Sequence, residues 1–116
     1  MDSFIVPGDE EFLYAFGVEL ASADVDGDVR AVRIPVGEGE VLEFSYDLPG
    51  RSVRIRALRG GSAIADLFYE GVSKIMIRSG RASTGIEVDL ADDSYRQSII
   101  IQVYPVLGIT GRRLLS

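Results

Sequence analysis

A chain of 116 residues, 47% hydrophobic and 26% charged, has the composition of a folded protein, and its length suits one domain (1–116) around one core. It contains no cysteine and no histidine, which excludes a disulfide framework, thiolate chemistry and the common nucleophile–base pairs. The net charge of −6 is unevenly placed: residues 1–47 carry twelve acids and two arginines (−10), and residues 48–116 carry six acids and ten basic residues (+4). Such asymmetry marks a partner surface, or two halves that neutralise each other across one fold.

The N-terminal MDSFIVPGDEEF has acids where a signal peptide carries basic residues, and no apolar run approaches the ~18 residues of a membrane span. The expectation is a soluble cytoplasmic protein with no membrane contact. Eleven of the twelve basic residues are arginine and asparagine is absent, a usage that fits a GC-rich bacterial genome.

One segment reads as a helix. Pro7-Gly8-Asp9-Glu10-Glu11 leads into Phe12, Leu13 and Phe16, and Gly17 follows. Asp9 suits the cap, the glutamates suit the positive end of the dipole, and Gly17 suits the stop. Phe12, Leu13 and Phe16 are expected to share the buried face.

After Gly17 the chain reads as short strands between turns, at 18–25, 29–36, 40–47, 52–58, 63–69, 72–78, 84–90 and 97–104, with a weaker one at 106–110 or beyond. Their spacing of about ten residues predicts an all-β domain, mainly an antiparallel sandwich or barrel, with one short N-terminal helix. In the hairpin 41–58, Leu42, Phe44 and Tyr46 alternate with Glu43, Ser45 and Asp47. With Leu48–Arg51 as the loop, Phe44 faces Ile55, Tyr46 faces Val53 and Glu43 faces Arg56; a one-residue slip would set Phe44 against an arginine. Ile75–Ile77 and Ile99–Ile101 are apolar on both faces, which predicts central strands covered on both sides.

The stretch Asp24-Val25-Asp26-Gly27-Asp28-Val29-Arg30 resembles a calcium loop at first sight. Counted from Asp24, however, the glycine falls at position 4, Val29 occupies position 6 and Pro35 occupies position 12, where a bidentate glutamate is needed. Asp-Gly between valines is a hairpin tip instead. The best apolar match sets Ala21 opposite Ile34 and Ala23 opposite Val32. Glu87, Asp89, Asp92 and Asp93 read as a solvated acidic group. Gly37-Glu38-Gly39-Glu40 lacks the third glycine and the following helix of a phosphate loop, and its acids would repel phosphate. Lys74, the only lysine, reads as an exposed strand residue. Arg51, Arg54, Arg56 and Arg59 form a stripe that Glu43 and Asp47 partly neutralise, and no RNP-like aromatics accompany it, so nucleic-acid binding is not expected. No catalytic residue, metal site or cofactor is expected.

The segment ADLFYEGVSKIMIRSG followed by GIEVDL carries Phe68-Tyr69, then Gly71-Val72, the apolar strand Ile75–Ile77 ending at Gly80, and an alternating strand with Glu87 and Asp89. Over roughly residues 63–90 it resembles small β-rich immunity proteins of bacterial polymorphic-toxin systems. The resemblance implies a cytosolic inhibitor that binds one toxin domain, and it implies no catalytic residues.

The leading expectation is therefore a non-enzymatic binding protein, an immunity-type inhibitor whose acidic Asp24, Asp26, Asp28, Glu38 and Glu40 meet the basic cleft of a protein partner. The alternatives are a self-associating structural domain and a small β-barrel with a ligand in its lumen. The apolar runs ask for more cover than one two-turn helix supplies, so either a homodimer, a partner on one sheet face, or a closed barrel is expected, with the homodimer favoured.

Overall fold

The computed structural model describes residues 4–91 and 95–115; for residues 91, 95 and 112–115 the backbone alone is described. The helix α1 (Asp9–Phe16) precedes nine strands among these residues. They are β1 (Ala21–Ser22), β2 (Val29–Pro35), β3 (Glu40–Asp47), β4 (Ser52–Arg59), β5 (Ser62–Glu70), β6 (Val72–Ser79), β7 (Thr84–Ala91), β8 (Tyr95–Tyr104) and β9 (Gly108–Leu115). Strands 29–36 through 97–104 form within two residues of their expected bounds. Asp92 and Asp93 lie outside the described residues.

Two antiparallel meanders face each other, β1-β2-β3-β4-β5 and β6-β7-β8-β9, and their inner faces meet in one core. Among the described residues the two sheets stay separate and do not close into a barrel. Phe44, Ile55, Leu42, Ile34, Ile86, Val88 and Ile101 are fully buried there, each at 0% exposure. The chain passes from the first sheet to the second at Gly71, whose φ of 74° is left-handed. Val72 continues the old ladder by one bond, its N–H donating to Arg51 O at 3.0 Å, before the strand enters the new sheet.

The β3–β4 register is the expected one, with Phe44 opposite Ile55, Tyr46 opposite Val53 and Glu43 opposite Arg56. The first hairpin differs. Ala21 pairs with Ala31 and Ser22 with Arg30, not with the apolar partners expected, and β1 stops after two residues. Turn chemistry outweighs apolar matching here. The Asp24 carboxylate accepts the Val29 N–H at 3.2 Å and the Ala23 N–H donates to Val29 O at 2.8 Å, which closes a five-residue tip over 24–28. Leu20 is buried from an irregular segment instead.

The helix plugs the space between the sheets with Phe12 and Phe16, but Leu13 is 44% exposed and does not share their face. The cap is Gly8, whose N–H donates to Glu11 Oε2 at 2.7 Å. Asp9 begins the helix and pairs with Arg30 of β2 instead of capping. Gly17 stops the helix with φ 73°, its N–H donating to Leu13 O at 2.8 Å. Phe16 packs against Tyr104 at 6.5 Å between ring centroids, and the Tyr104 hydroxyl donates to Pro35 O at 3.3 Å, tying β8 to β2.

β8 is central, as its isoleucines predict, but β6 is an edge strand. The N-terminal segment guards that edge. Ile5 bridges to β6 in parallel, its N–H donating to Ser73 O (3.1 Å) and its O accepting from Ile75 N–H (2.8 Å). Apolar cover lies mainly on the inner face: Ile75, Ile99 and Ile101 are buried and Ile77 is half-buried there, while Met76 and Ile100 are half-buried on the outer one. Glu87 stands between those two in register and is 9% exposed, with Arg78 as its ion partner. It is not the solvated residue expected, because its long apolar neighbours flank it.

The fold sets two outcomes. Phe44→Ala costs about 3–5 kcal/mol by leaving a cavity, whereas Glu43→Ala costs about 1 kcal/mol or less; denaturant unfolding measures both, and comparable costs would reverse the assignment of strand faces. A Cβ on Gly85 would lie 2.2 Å from the Ile101 carbonyl oxygen, while one on Gly71 meets nothing within 4 Å. Gly71→Ala is therefore expected to cost about 1–2 kcal/mol through its left-handed backbone alone, and Gly85→Ala at least about 3 kcal/mol, the upper end of overpacking.

Candidate functional site

The register that buries Phe44 and Ile55 turns a second set of side chains outward from the first sheet. Ala21, Ala31, Ser45, Arg54 and Phe68 stand in one row across β1 to β5, and Arg33, Glu43, Arg56 and Asp66 in the next across β2 to β5. The first row is small at one end and long at the other. Over the small end lies a groove of about 500 Å³, floored by Ala21, Ala31 and Ser45 and walled by Arg33, Glu43, Arg54 and Arg56.

The wall is a continuous ion-paired chain. Glu43 accepts from Arg33 (2.7 Å) with one oxygen and from Arg56 (3.0 Å) with the other. Asp66 takes Arg54 in a bidentate pair at 3.0 and 2.8 Å. Arg56 Nε, buried and without a hydrogen-bond partner, lies 3.6 Å from Asp66 Oδ2 and links the two halves. Two carboxylates and three guanidiniums thus lock the outer face of four strands. Fixed pairs of this kind add little stability individually, but they hold long side chains in one arrangement before any partner arrives.

The Glu43–Arg56 pair is the one expected from the sequence. Asp66 was missed, although it is a lone acid in the apolar strand AIADLFY; only the β4–β5 register sets it against Arg56. Asp47 accepts the Gly50 N–H at 3.1 Å in the β3–β4 turn. Arg59 pairs with Glu40 at 2.7 Å. With Arg54, Arg56 and Arg59 already engaged by carboxylates, the stripe offers phosphates little free charge. Lys74 is half-buried rather than exposed, opposite Asp89 on β7.

The acidic residues singled out from the sequence fall into two places. Asp24, Asp26 and Asp28 converge at the β1–β2 tip, with one carboxylate oxygen from each within 4.8 Å of the others. Gly27 makes the turn with φ 76°. Ala23 and Val29, on either side of this tip, also line the groove, so the tip forms its acidic end. Glu38 and Glu40 lie at the other end of β2, ~20 Å away at ~3.3 Å per residue. Glu38 is exposed in the turn between Gly37 and Gly39, and Glu40 is held by Arg59.

No protein-family profile matches the sequence, and no curated protein does. Among solved structures, the chain matches one from the contact-dependent growth inhibition toxin–immunity protein complex of Klebsiella pneumoniae 342, with a TM-score of 0.85 at 20% identity. The match covers 98% of this chain and 100% of that one. At this identity the two share a fold.

Asp66 gives the site a pH signature. Its hydrogen bonds from Arg54, chiefly, hold its carboxyl below the ordinary aspartate value, and the charges of Arg54 and Arg56 add to the effect against the cost of desolvation. A carboxyl with a lowered folded-state pKa stabilises the fold above its unfolded value, and that contribution is lost as pH falls through the folded value. Asp66→Asn is therefore expected to destabilise the protein at neutral pH. Its deficit against the natural chain should shrink steadily in unfolding titrations run below about pH 4.

Proposed function

We propose that the protein is a non-enzymatic bacterial inhibitor of the immunity type, which neutralises a toxin domain by binding it. The observation that carries this reading is the end-to-end fold likeness to a chain of a toxin–immunity protein complex. The surface supports it. Acidic charge is concentrated in residues 1–47, and three of those acids converge at one hairpin tip beside a groove with preordered walls.

In this reading Asp24, Asp26 and Asp28 steer a basic partner to the groove, and the Glu43–Arg56–Asp66 chain presents it with a fixed pattern of donors and acceptors. Steering of this kind raises the association rate more than the final affinity and weakens with salt. Glu38 and Glu40 join the contact only for a partner that runs the length of β2. A cytoplasmic location follows from the same reading, since the inhibitor must meet the toxin domain where that domain acts.

The test is growth protection. The chain is co-expressed with whichever toxin domain is encoded beside it. Protection, together with a stable complex of the two purified proteins, is the expected result. The triple variant Asp24→Asn, Asp26→Asn, Asp28→Asn should keep its melting temperature and associate about 10-fold or more slowly at low salt. Absence of any toxin gene beside this one, or a toxin domain that kills equally with and without the chain, would end the proposal. Unchanged association by the triple variant would move the contact away from the tip.

A further inference from the structure

Three aspartates share the β1–β2 tip, but their places along the chain are not equivalent. Asp26 is followed by Gly27, the one Asp-Gly pair of the sequence, whereas Asp24 and Asp28 are each followed by valine, and the chain has no asparagine. The following residue matters because its backbone nitrogen can attack the aspartate's own side-chain carboxyl and close a five-membered ring. A β-branched neighbour shields that nitrogen, and glycine leaves it bare.

The fold of the tip sets the other two aspartates further apart from this chemistry. The Asp24 carboxylate accepts the Val29 N–H at 3.2 Å, which engages both that carboxylate and the nitrogen that follows Asp28. Asp26 is exposed, and Val25 beside it is 101% exposed. A Cβ added at Gly27 would meet nothing nearer than Ser22 Oγ at 3.6 Å, so the space around this residue is open. The bonds that close the loop lie at its base, from Ala23 N–H to Val29 O, from Val29 N–H to Asp24 and from Ser22 Oγ to Asp24 O. A loop held in this way opens locally at low cost, which lets residues 25–27 bring the Asp26 carboxyl onto the Gly27 nitrogen.

We infer that Asp26 is a site of spontaneous isomerisation to isoaspartate. The Gly27 nitrogen forms a bond to Asp26 Cγ, the hydroxyl of the protonated carboxyl leaves with the N–H proton as water, and a succinimide ring results. Water then opens the ring at the Asp26 main-chain carbonyl. Its hydroxyl goes to that carbon, its proton goes to the Gly27 nitrogen, and the bond between the two breaks. One water is lost and one regained, so the mass is unchanged and the step needs no enzyme, oxidant or cofactor. The main chain gains one carbon at the turn, and the free carboxylate is left directly on Cα. Isomerisation therefore reshapes the acidic end of the groove without changing its charge, and the chemistry is independent of the inhibitor reading.

The purified chain is held for weeks at physiological temperature in mildly acidic buffer, which favours the protonated carboxyl, beside a synthetic peptide of residues 23–30. The tryptic peptide ending at Arg30 should resolve into two species of equal mass, the second resistant to endoproteinase cleavage before Asp26. The rate in the folded chain should lie within about 10-fold of the rate in the peptide, because the tip opens at little cost. Asp26→Glu keeps the charge but needs a larger ring, and it should abolish the second species. Asp26→Asn should yield the same product faster, since its amide leaves as ammonia. Absence of the second species from the folded chain, whatever the peptide does, would overturn the inference. Conversion at Asp24 or Asp28 to the same extent as at Asp26 would overturn it as well.

Discussion

The pairing of Phe44 with Ile55 governs both faces of the first sheet. Strand side chains alternate, so the register that buries these two must also stand Glu43 against Arg56 on the outside. β2 and β5 inherit the same parity, and Arg33 and Asp66 arrive beside that pair. One apolar contact in the core therefore sets the order of an ion-paired chain on the surface. A slip by one residue would expose Phe44 and bury the arginines, so the outer chain and the core stand or fall together.

The two sheets become one domain through a few closures made by unlike means. Gly71 bends the chain from β5 into β6 without losing the last bond to the first sheet. Phe12 and Phe16 fill the gap between the layers, and Asp9 fastens the start of α1 to Arg30. The segment before α1 adds Ile5 to the edge of β6, and Phe4 sets its ring at 82° to that of Tyr46, 6.2 Å away. The N-terminal residues, the most acidic by sequence, thus contribute apolar side chains to the core and leave their charges outside.

The outer face of the first sheet has two unlike ends. Its β1–β2 end is small-floored and acidic at the tip. Its β5 end exposes Phe68 and Ile64. The Arg54–Asp66–Arg56 cluster lies between the two and holds each in shape. The proposed toxin contact draws on side chains outside the core, whose members are apolar and come from both sheets, the helix and the segment at Leu20.

Element positions were legible in the sequence because turn residues and alternation are local properties. Asp26-Gly27, Pro49-Gly50, Gly60-Gly61 and Gly71 mark their turns without reference to the rest of the chain, and Phe44, Tyr46, Val53 and Ile55 mark their faces. The β3–β4 register was legible for the same reason, since its loop is short. Where one side chain or a bulge resets a ladder, alternation in the sequence was silent. The Asp24 carboxylate reset the β1–β2 register by bonding Val29 N–H, a choice of one side chain that apolar counting does not see. Only Gly60-Gly61 separates β4 from β5, but a bulge beside Ala57 and Leu58 shifts that ladder by one and sets Asp66 opposite Arg56, and β6 became an edge only once the chain turned at Gly71 and left the first sheet. Alternation states which side chains point together along a strand; which strand lies alongside, and which edge stays open, is decided by packing between segments distant in the chain.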